Sequence, residues 1–493
     1  MVSILDGVYR TSLALATDFY QLTMAAAYWK SGLAERESVF NLHYRKNPFG
    51  GGFALACGLQ TALEYLERFR FDKEDVSYLG SLKGADEKPI FEAGFLDYLR
   101  DLRLSLDVDA IAEGTPVFPN EPLLRVRGSL LQAQLVETAL LNIINFQTLI
   151  ATKAARVSLA ARGESVLEFG LRRAQGIDGG LSASRAAFIG GCDATSNVLA
   201  GRHLGIPVRG THAHSWVMAF EDEEEAFEAY ARALPNNCLF LVDTYDTLEG
   251  VRKAISVGRR LKERGNRLLG IRLDSGDLAH LSIEARKLLD DAGFPDAKIV
   301  ASNDLDEGLI ASLKEQGAKI AVWGVGTKLA TAYDQPALGG VYKLSAMREP
   351  EGRWRPVLKI SEQAAKTSIP GIQQVRRYRD AQGAVCDVIY DTARPVPEPC
   401  ILIDPLDSTR RKVVPADASF EDLLIPVLRK GKISGDLPSL VAIRQRAAHC
   451  LADFHSGVKR FTNPHQYPVG LEKGLHDLRN DLILKKRGLE KTL

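Results

Sequence analysis

Residues 268–304, LLGIRLDSGDLAHLSIEARKLLDDAGFPDAKIVASND, decide the reading of the fold. The segment opens on an apolar, β-favouring run that ends in charge at Arg272, Asp274 and Asp277. DLAHLSIEARKLLDDAG then reads as a helix with an acidic start and a glycine stop, and KIVASND as a second strand. The same cadence extends outward. Apolar runs begin near Ser165 (SVLEFG), Pro207 (PVRGTHAH), Cys238 (CLFLVDTYD), Leu268, Lys298 and Ile320 (IAVWGVGT). They stand roughly 20 to 45 residues apart, room for a strand and its crossover helix. In EDEEEAFEAYARAL the acidic run Glu221 to Glu225 is a solvated helix start. Six such units imply a parallel sheet, here an irregular (β/α) barrel.

The flanks read differently. In residues 1–130, ATDFYQLTMAAAYWK suits a helix capped by Asp18, with Leu22, Ala25, Ala26 and Trp29 on its apolar side. EGTPVFPNEPLLRVR, with three prolines before its alternation, suits an edge strand and its turns. A helix over about 134–161 opens the barrel region, 131–344. Residues 345–493, rich in Arg, Lys and Pro, lack the rhythm and are expected to pack back on the N-terminal region. The expected fold is α/β: the barrel plus a second α/β domain built from the N-terminal and part of the C-terminal region.

Composition narrows the function. The 493 residues carry 63 basic and 62 acidic side chains, a net +1, so no basic surface points to nucleic acid. Lys485, Lys486 and Arg487 read as a solvated tail. No stretch of membrane-spanning length is apolar, and MVSILDGVYRTSLALATDFY lacks the basic and apolar regions of a signal peptide. The six cysteines form no CxxC pair and read as reduced thiols. A cytoplasmic enzyme is expected.

The strand ends carry the chemistry. They read Glu168-Phe169-Gly170, Thr211-His212-Ala213-His214, Asp243 with Asp246, Arg272 with Asp274 and Asp277, Ser302-Asn303-Asp304, and Gly324-Val325-Gly326-Thr327. In a (β/α) barrel these ends converge on one mouth. The glycine-rich WGVGTK turn suits a phosphate. His212 and His214, two apart on a strand, share a face. A metal pair or a core role fits them, and a nucleophile or base oriented by neighbouring carboxylates fits best.

At these residues the sequence resembles nicotinate phosphoribosyltransferases over essentially its whole length. ATDFYQLTMAAAYW, FNLHYRKNPFGGGFALACGL, EFGLRRAQG, GGCDATSNVLAG, GTHAHSWVMAF, LVDTYDT, IRLDSGDL, ASNDLDE, WGVGTKL and GGVYKL occur in the family's order. The resemblance implies a type II phosphoribosyltransferase. Nicotinate, 5-phosphoribosyl 1-diphosphate and ATP would give nicotinate mononucleotide, diphosphate, ADP and phosphate, the entry to NAD salvage. It implies that His214 is phosphorylated and that Asp274, taken with it as catalytic, stands around the phosphoribosyl diphosphate. It gives Tyr20 and Thr211 to nicotinate, Arg272 to nicotinate or the ribose side, and Phe169 to a stack on the pyridine ring. Thr327, with Gly326 in the same turn, would hold the phosphoribosyl phosphate; Arg172 and Asn303 would stand around the diphosphate. Asp243, Asp246 and Asp277, together with Asp274, suit Mg²⁺ directly or through water. A homodimer whose partner reaches the site is implied as well. EQAAKTSIPG shares the likeness, but its residues suggest no role.

Three rivals stand beside this. A nicotinamide-using enzyme would want an acid near 196–197, where Ser196 and Asn197 are neutral although Asp193 is close. A non-catalytic nucleotide-binding barrel would not need His214 with the strand-end acids. A lyase or aldolase would want a Schiff-base lysine, and Lys328 is the near candidate.

Overall fold

The computed structural model describes residues 13–489, which fall into two compact units. One runs to Leu149 and resumes at Ala337; the other is Ile150–Pro336. The first twelve residues of the stretch read for a signal peptide lie outside the described part. Among the described residues no helix is long and apolar enough to cross a membrane.

The continuous unit is the irregular barrel. Strands β1 (Ser165–Glu168), β2 (Ala194–Thr195), β3 (Leu239–Leu241), β4 (Gly270–Leu273), β5 (Lys298–Ala301) and β6 (Val322–Val325) pair in the order β2-β1-β6-β5-β4-β3, all parallel. Five of the six expected runs form strands. PVRGTHAH does not: it adds one parallel bridge, Val208 to Thr195. His214 instead opens a short helix, His214–Met218, so the shared face expected of the two histidines is not formed by a strand. β2 escapes the sequence reading because two residues carry no period. The helices start on acids: Asp222, Asp246, Asp277 and Asp306 each accept an N–H of the first turn that follows, which satisfies donors that no helical carbonyl reaches.

Between the Val208 segment and β3 a side chain replaces the ladder. The buried His212 ring accepts the Leu241 N–H at Nε2, 3.2 Å away. Phe227, Tyr230 and Phe240 surround it.

The discontinuous unit holds a seven-stranded sheet in the order Trp354–Pro356, Val341–Arg348, Glu37–His43, Leu124–Ser129, Asp107–Ile111, Leu424–Arg429 and Lys432–Ile433. N-terminal and C-terminal strands thus share one sheet. Leu124–Ser129, expected at an edge, is central, between Glu37–His43 and Asp107–Ile111. Its three prolines all precede it, so none interrupts its ladder. A second, six-stranded sheet includes Gln373–Asp380 and Gly383–Asp391. The helix Phe19–Lys30 begins after Asp18, whose carboxylate accepts from the Thr138 hydroxyl, not from the helix.

His212 makes barrel stability pH-dependent. Burial, with repulsion from Arg272 and His214 and against the Ala213 carbonyl, pushes it down to about 4. In the unfolded chain the ring takes its proton near 6.5. The stabilisation is therefore complete above that value and is lost as pH falls toward 4. Between pH 7 and pH 5 the wild type should lose about 2 kcal/mol more than His212→Gln, whose amide oxygen accepts the same N–H without titrating. Urea unfolding at the two pH values measures the difference.

Candidate active site

The mouth is built from interlocked strand ends. After β1, the Phe169 N–H donates to the Val325 carbonyl (2.8 Å), which carries the pairing with β6 one residue further. The Phe169 ring lies over Gly324, where a Cβ would approach ring carbons to 2.8 Å. Gly170 is equally confined, since its Cβ would meet Ala330 Cβ at 2.3 Å and the Gly326 carbonyl at 2.9 Å. The glycines of EFG and GVGT are thus what allow the two turns to nest. A cavity of about 210 Å³ opens there, lined by Phe169, Arg172, Arg272, Asn303, Gly326 and Thr327 among others. Its wall includes two consecutive non-glycine residues at positive φ, Asn303 (98°) and Asp304 (42°). Such strain clusters at binding sites.

Across the mouth, His214 Nδ1 lies 3.1 Å from the Thr244 hydroxyl and Nε2 lies 3.8 Å from Asp274 Oδ2. Asp274 Oδ1 accepts a short hydrogen bond from Ser302. Asp243 Oδ2 accepts the Asp274 N–H (2.8 Å) and the Ser275 hydroxyl (2.6 Å), while its Oδ1 is buried without a partner. Arg272 Nη1 donates to Thr211 Oγ1 at 2.6 Å, and its buried Nε has no partner. Burial pulls the guanidinium below its ordinary value, Arg172 adds to this, and Asp274 and Asp243 oppose it.

The structure thus gathers Phe169, Arg172, Thr211, His214, Asp243, Arg272, Asp274, Asn303, Gly326 and Thr327 at the ends of the barrel strands. Asp246 and Asp277 stand on the same side but each spends an oxygen on a helix start, accepting the Glu249 and His280 N–H groups. Tyr20 belongs to the other unit, exposed on the first turn of Phe19–Lys30 and lining a pocket with Glu137, Lys343 and Lys359. Sequence reasoning missed Thr244 and Arg173, although each directly adjoins a chosen residue, and read Ser302 as part of a polar strand end without a role of its own.

Two rivals lose their residue. Lys328 is bound to Asp306 at 2.5 Å, which raises its pKa and makes it a poor amine nucleophile. Asp193 bonds the Ser165 hydroxyl (2.7 Å) and the Val166 N–H at the start of β1, the end of the strand opposite the mouth.

Comparison with known proteins shows the family of the chain. Sequence profiles described as the N-terminal domain, the family and the C-terminal domain of nicotinate phosphoribosyltransferase (NAPRTase) match residues 15–145, 164–386 and 372–479. The Bacillus subtilis nicotinate phosphoribosyltransferase is 46% identical over 472 residues, covering 95% of this chain and 94% of that protein. The Homo sapiens protein of the same name is 36% identical over 527 residues, covering 95% and 96%. The crystal structure of human nicotinic acid phosphoribosyltransferase matches with a TM-score of 0.83 at 34% identity, covering 94% of this chain and 99% of that one. The chain belongs to the nicotinate phosphoribosyltransferase family.

Proposed function

We propose that the barrel mouth transfers phosphoribosyl from 5-phosphoribosyl 1-diphosphate to nicotinate, coupled to ATP through phosphorylation of His214, as a step of NAD salvage in the cytoplasm. The observation that carries the substrate reading is Arg272. It is a largely buried cation with an unpartnered Nε, and no carboxylate lies within ion-pair distance of it among the described residues. A ligand carboxylate answers that vacancy, and a neutral amide does not. The described cysteines form no disulfide, which suits a reducing compartment.

Phe169 offers a flat face for the pyridine ring, and aromatic stacking contributes on the order of 1 kcal/mol. Thr211 holds Arg272 and Thr327 starts the helix Thr327–Ala330 next to Gly326, so that turn receives the 5-phosphate. Arg172 and Asn303 face the diphosphate. A Nδ1–H tautomer of His214 donates to Thr244 and leaves the Nε2 lone pair open to the γ-phosphoryl group of ATP. The 3.8 Å to Asp274 is too long for a hydrogen bond that would occupy it.

Among the described residues no group of three His, Cys, Asp or Glu side chains forms a metal cage. Mg²⁺ with phosphate-bearing substrates needs only one or two carboxylates. Asp243, with its orphaned buried Oδ1, and Asp274 fit that role, with Asp246 and Asp277 further out through water. The ion would neutralise the departing diphosphate.

The mouth also calls for a cover. Ile177, Val198 and Met218, at helix ends, and Tyr245 and Tyr333, in a bend and a turn, are between 64% and 73% exposed. Large apolar side chains ringed around a polar site mark a docking surface, and a homodimer whose partner contributes Tyr20 answers it.

Diphosphate release with nicotinate or nicotinamide, each with and without ATP, tests the assignment; equal turnover of both substrates overturns it. His214→Ala should fold normally and lose ATP hydrolysis, and acid-labile phosphate on the variant at the wild-type level would reject the phosphohistidine. Arg272→Ala should weaken nicotinate by about a hundredfold or more, since an unpaired buried carboxylate costs several kcal/mol, with far less effect on uncharged pyridines in calorimetry. Mixing Tyr20→Ala with His214→Ala chains should restore activity, because one intact composite site forms per mixed dimer. Proven subunit exchange without recovery would exclude a shared site.

A further inference from the structure

Behind Phe169 lies a carboxylate that the reaction does not use. Glu168, the last residue of β1, is 1% exposed, and no cation stands within ion-pair distance of it among the described residues. Its Oε1 accepts a short hydrogen bond from Gly170 N–H. Its Oε2 accepts from the hydroxyls of Ser184 (2.9 Å) and Thr195 (2.6 Å). Those hydroxyls accept in turn from Asn197: its side-chain Nδ2 reaches Ser184 at 3.2 Å and its backbone N–H reaches Thr195 at 2.9 Å. Asn197 Oδ1 accepts from Ala200 N–H. Each hydroxyl has one proton to give, and a carboxylate only accepts. Gly170 N–H and the Thr195 hydroxyl therefore donate to Glu168, while the single Ser184 proton is shared between Oε2 and the Gly180 carbonyl, each 2.9 Å away.

The array joins four pieces of backbone: the end of β1, the helix Ile177–Ile189, β2 and the start of the helix Val198–Leu204. The Gly170 bond holds the reversal that aims Phe169 at Gly324 and starts the Leu171–Arg173 turn. We infer that Glu168 is a positioning residue, which locks the Phe169–Arg172 turn against the Gly326–Thr327 loop and so pre-forms the nicotinate and phosphoribosyl half of the site. The inference rests on the functional reading above and concerns only one arc of the mouth. His214, Thr244 and Asp274 stand on other strand ends.

Glu168→Gln keeps the shape but replaces one acceptor oxygen by an amide NH₂ that faces a group, the Thr195 hydroxyl or the Gly170 N–H, already donating to it. It should raise the KM for nicotinate and for phosphoribosyl diphosphate by about tenfold or more, because small displacements of positioning groups cost heavily. The KM for ATP and the level of phosphohistidine should stay within about twofold. Thr195→Val, which removes one donor, should act in the same direction, and Thr195→Ser should restore the wild-type values. If Glu168→Gln does not fold, the Thr195 pair decides. A fall in activity shared equally by all three substrates, or an unchanged KM in folded variants, overturns the inference. Backbone hydrogen exchange separates it from the functional reading. Faster exchange confined to residues around 169–173 in Glu168→Gln supports the lock even if the wild type fails to turn over nicotinate, and unchanged exchange there overturns it.

Discussion

Oδ2 of Asp243 accepts the N–H of Asp274 and the hydroxyl of Ser275, a crossing from the end of β3 to the end of β4. A parallel ladder fixes strands only as far as the backbone pairing runs. Beyond it, in the last two or three residues where the chemistry stands, side chains must hold the register. The same solution recurs around the mouth. Ser302 bonds Asp274 from the end of β5, Phe169 nests on Gly324 between β1 and β6, and Glu168 gathers β2 and two helices. The Asp243 crossing fixes the Asp274 backbone and Ser302 its carboxylate, and together they set it 3.8 Å from His214.

This division explains what the sequence disclosed. Contiguous apolar runs such as KIVAS and VWGV bury on both faces, so their strands were legible from composition alone. The segment at Pro207 was not. Its Pro, Gly and two histidines let it bridge at a single residue, and the closure falls to an imidazole that no periodicity reveals. The expected edge strand failed for a related reason: prolines before Leu124 say where a ladder begins, not how many neighbours the strand will have.

Residue type alone was equally ambiguous at the site. An aspartate after a barrel strand can face a ligand or cap the following helix, and Asp243 and Asp246 differ in this although only three positions apart. The difference is one of geometry: Asp246 stands immediately before the helix Thr247–Glu263 and takes its third N–H. Thr244 drew no notice, and Ser302 was read as part of a polar strand end without a role, because hydroxyl residues are common in turns. Their roles come from what they touch, His214 and Asp274.

Two buried groups of opposite sign, Asp243 Oδ1 and Arg272 Nε, are left without hydrogen-bond partners at the mouth. Each costs roughly 1–3 kcal/mol of desolvation that folding does not recover, and a chain selected only for stability would have paired or removed them. They are kept apart by bonds already made: Asp243 Oδ2 to Asp274 and Ser275, and Arg272 Nη1 to Thr211. Under the function proposed above, a substrate carboxylate and a cation accompanying diphosphate are complementary to these two groups. Under that function the desolvation left unrecovered in folding would become binding free energy that a neutral pyridine could not recover, so discrimination would rest on two groups whose partners the fold withholds.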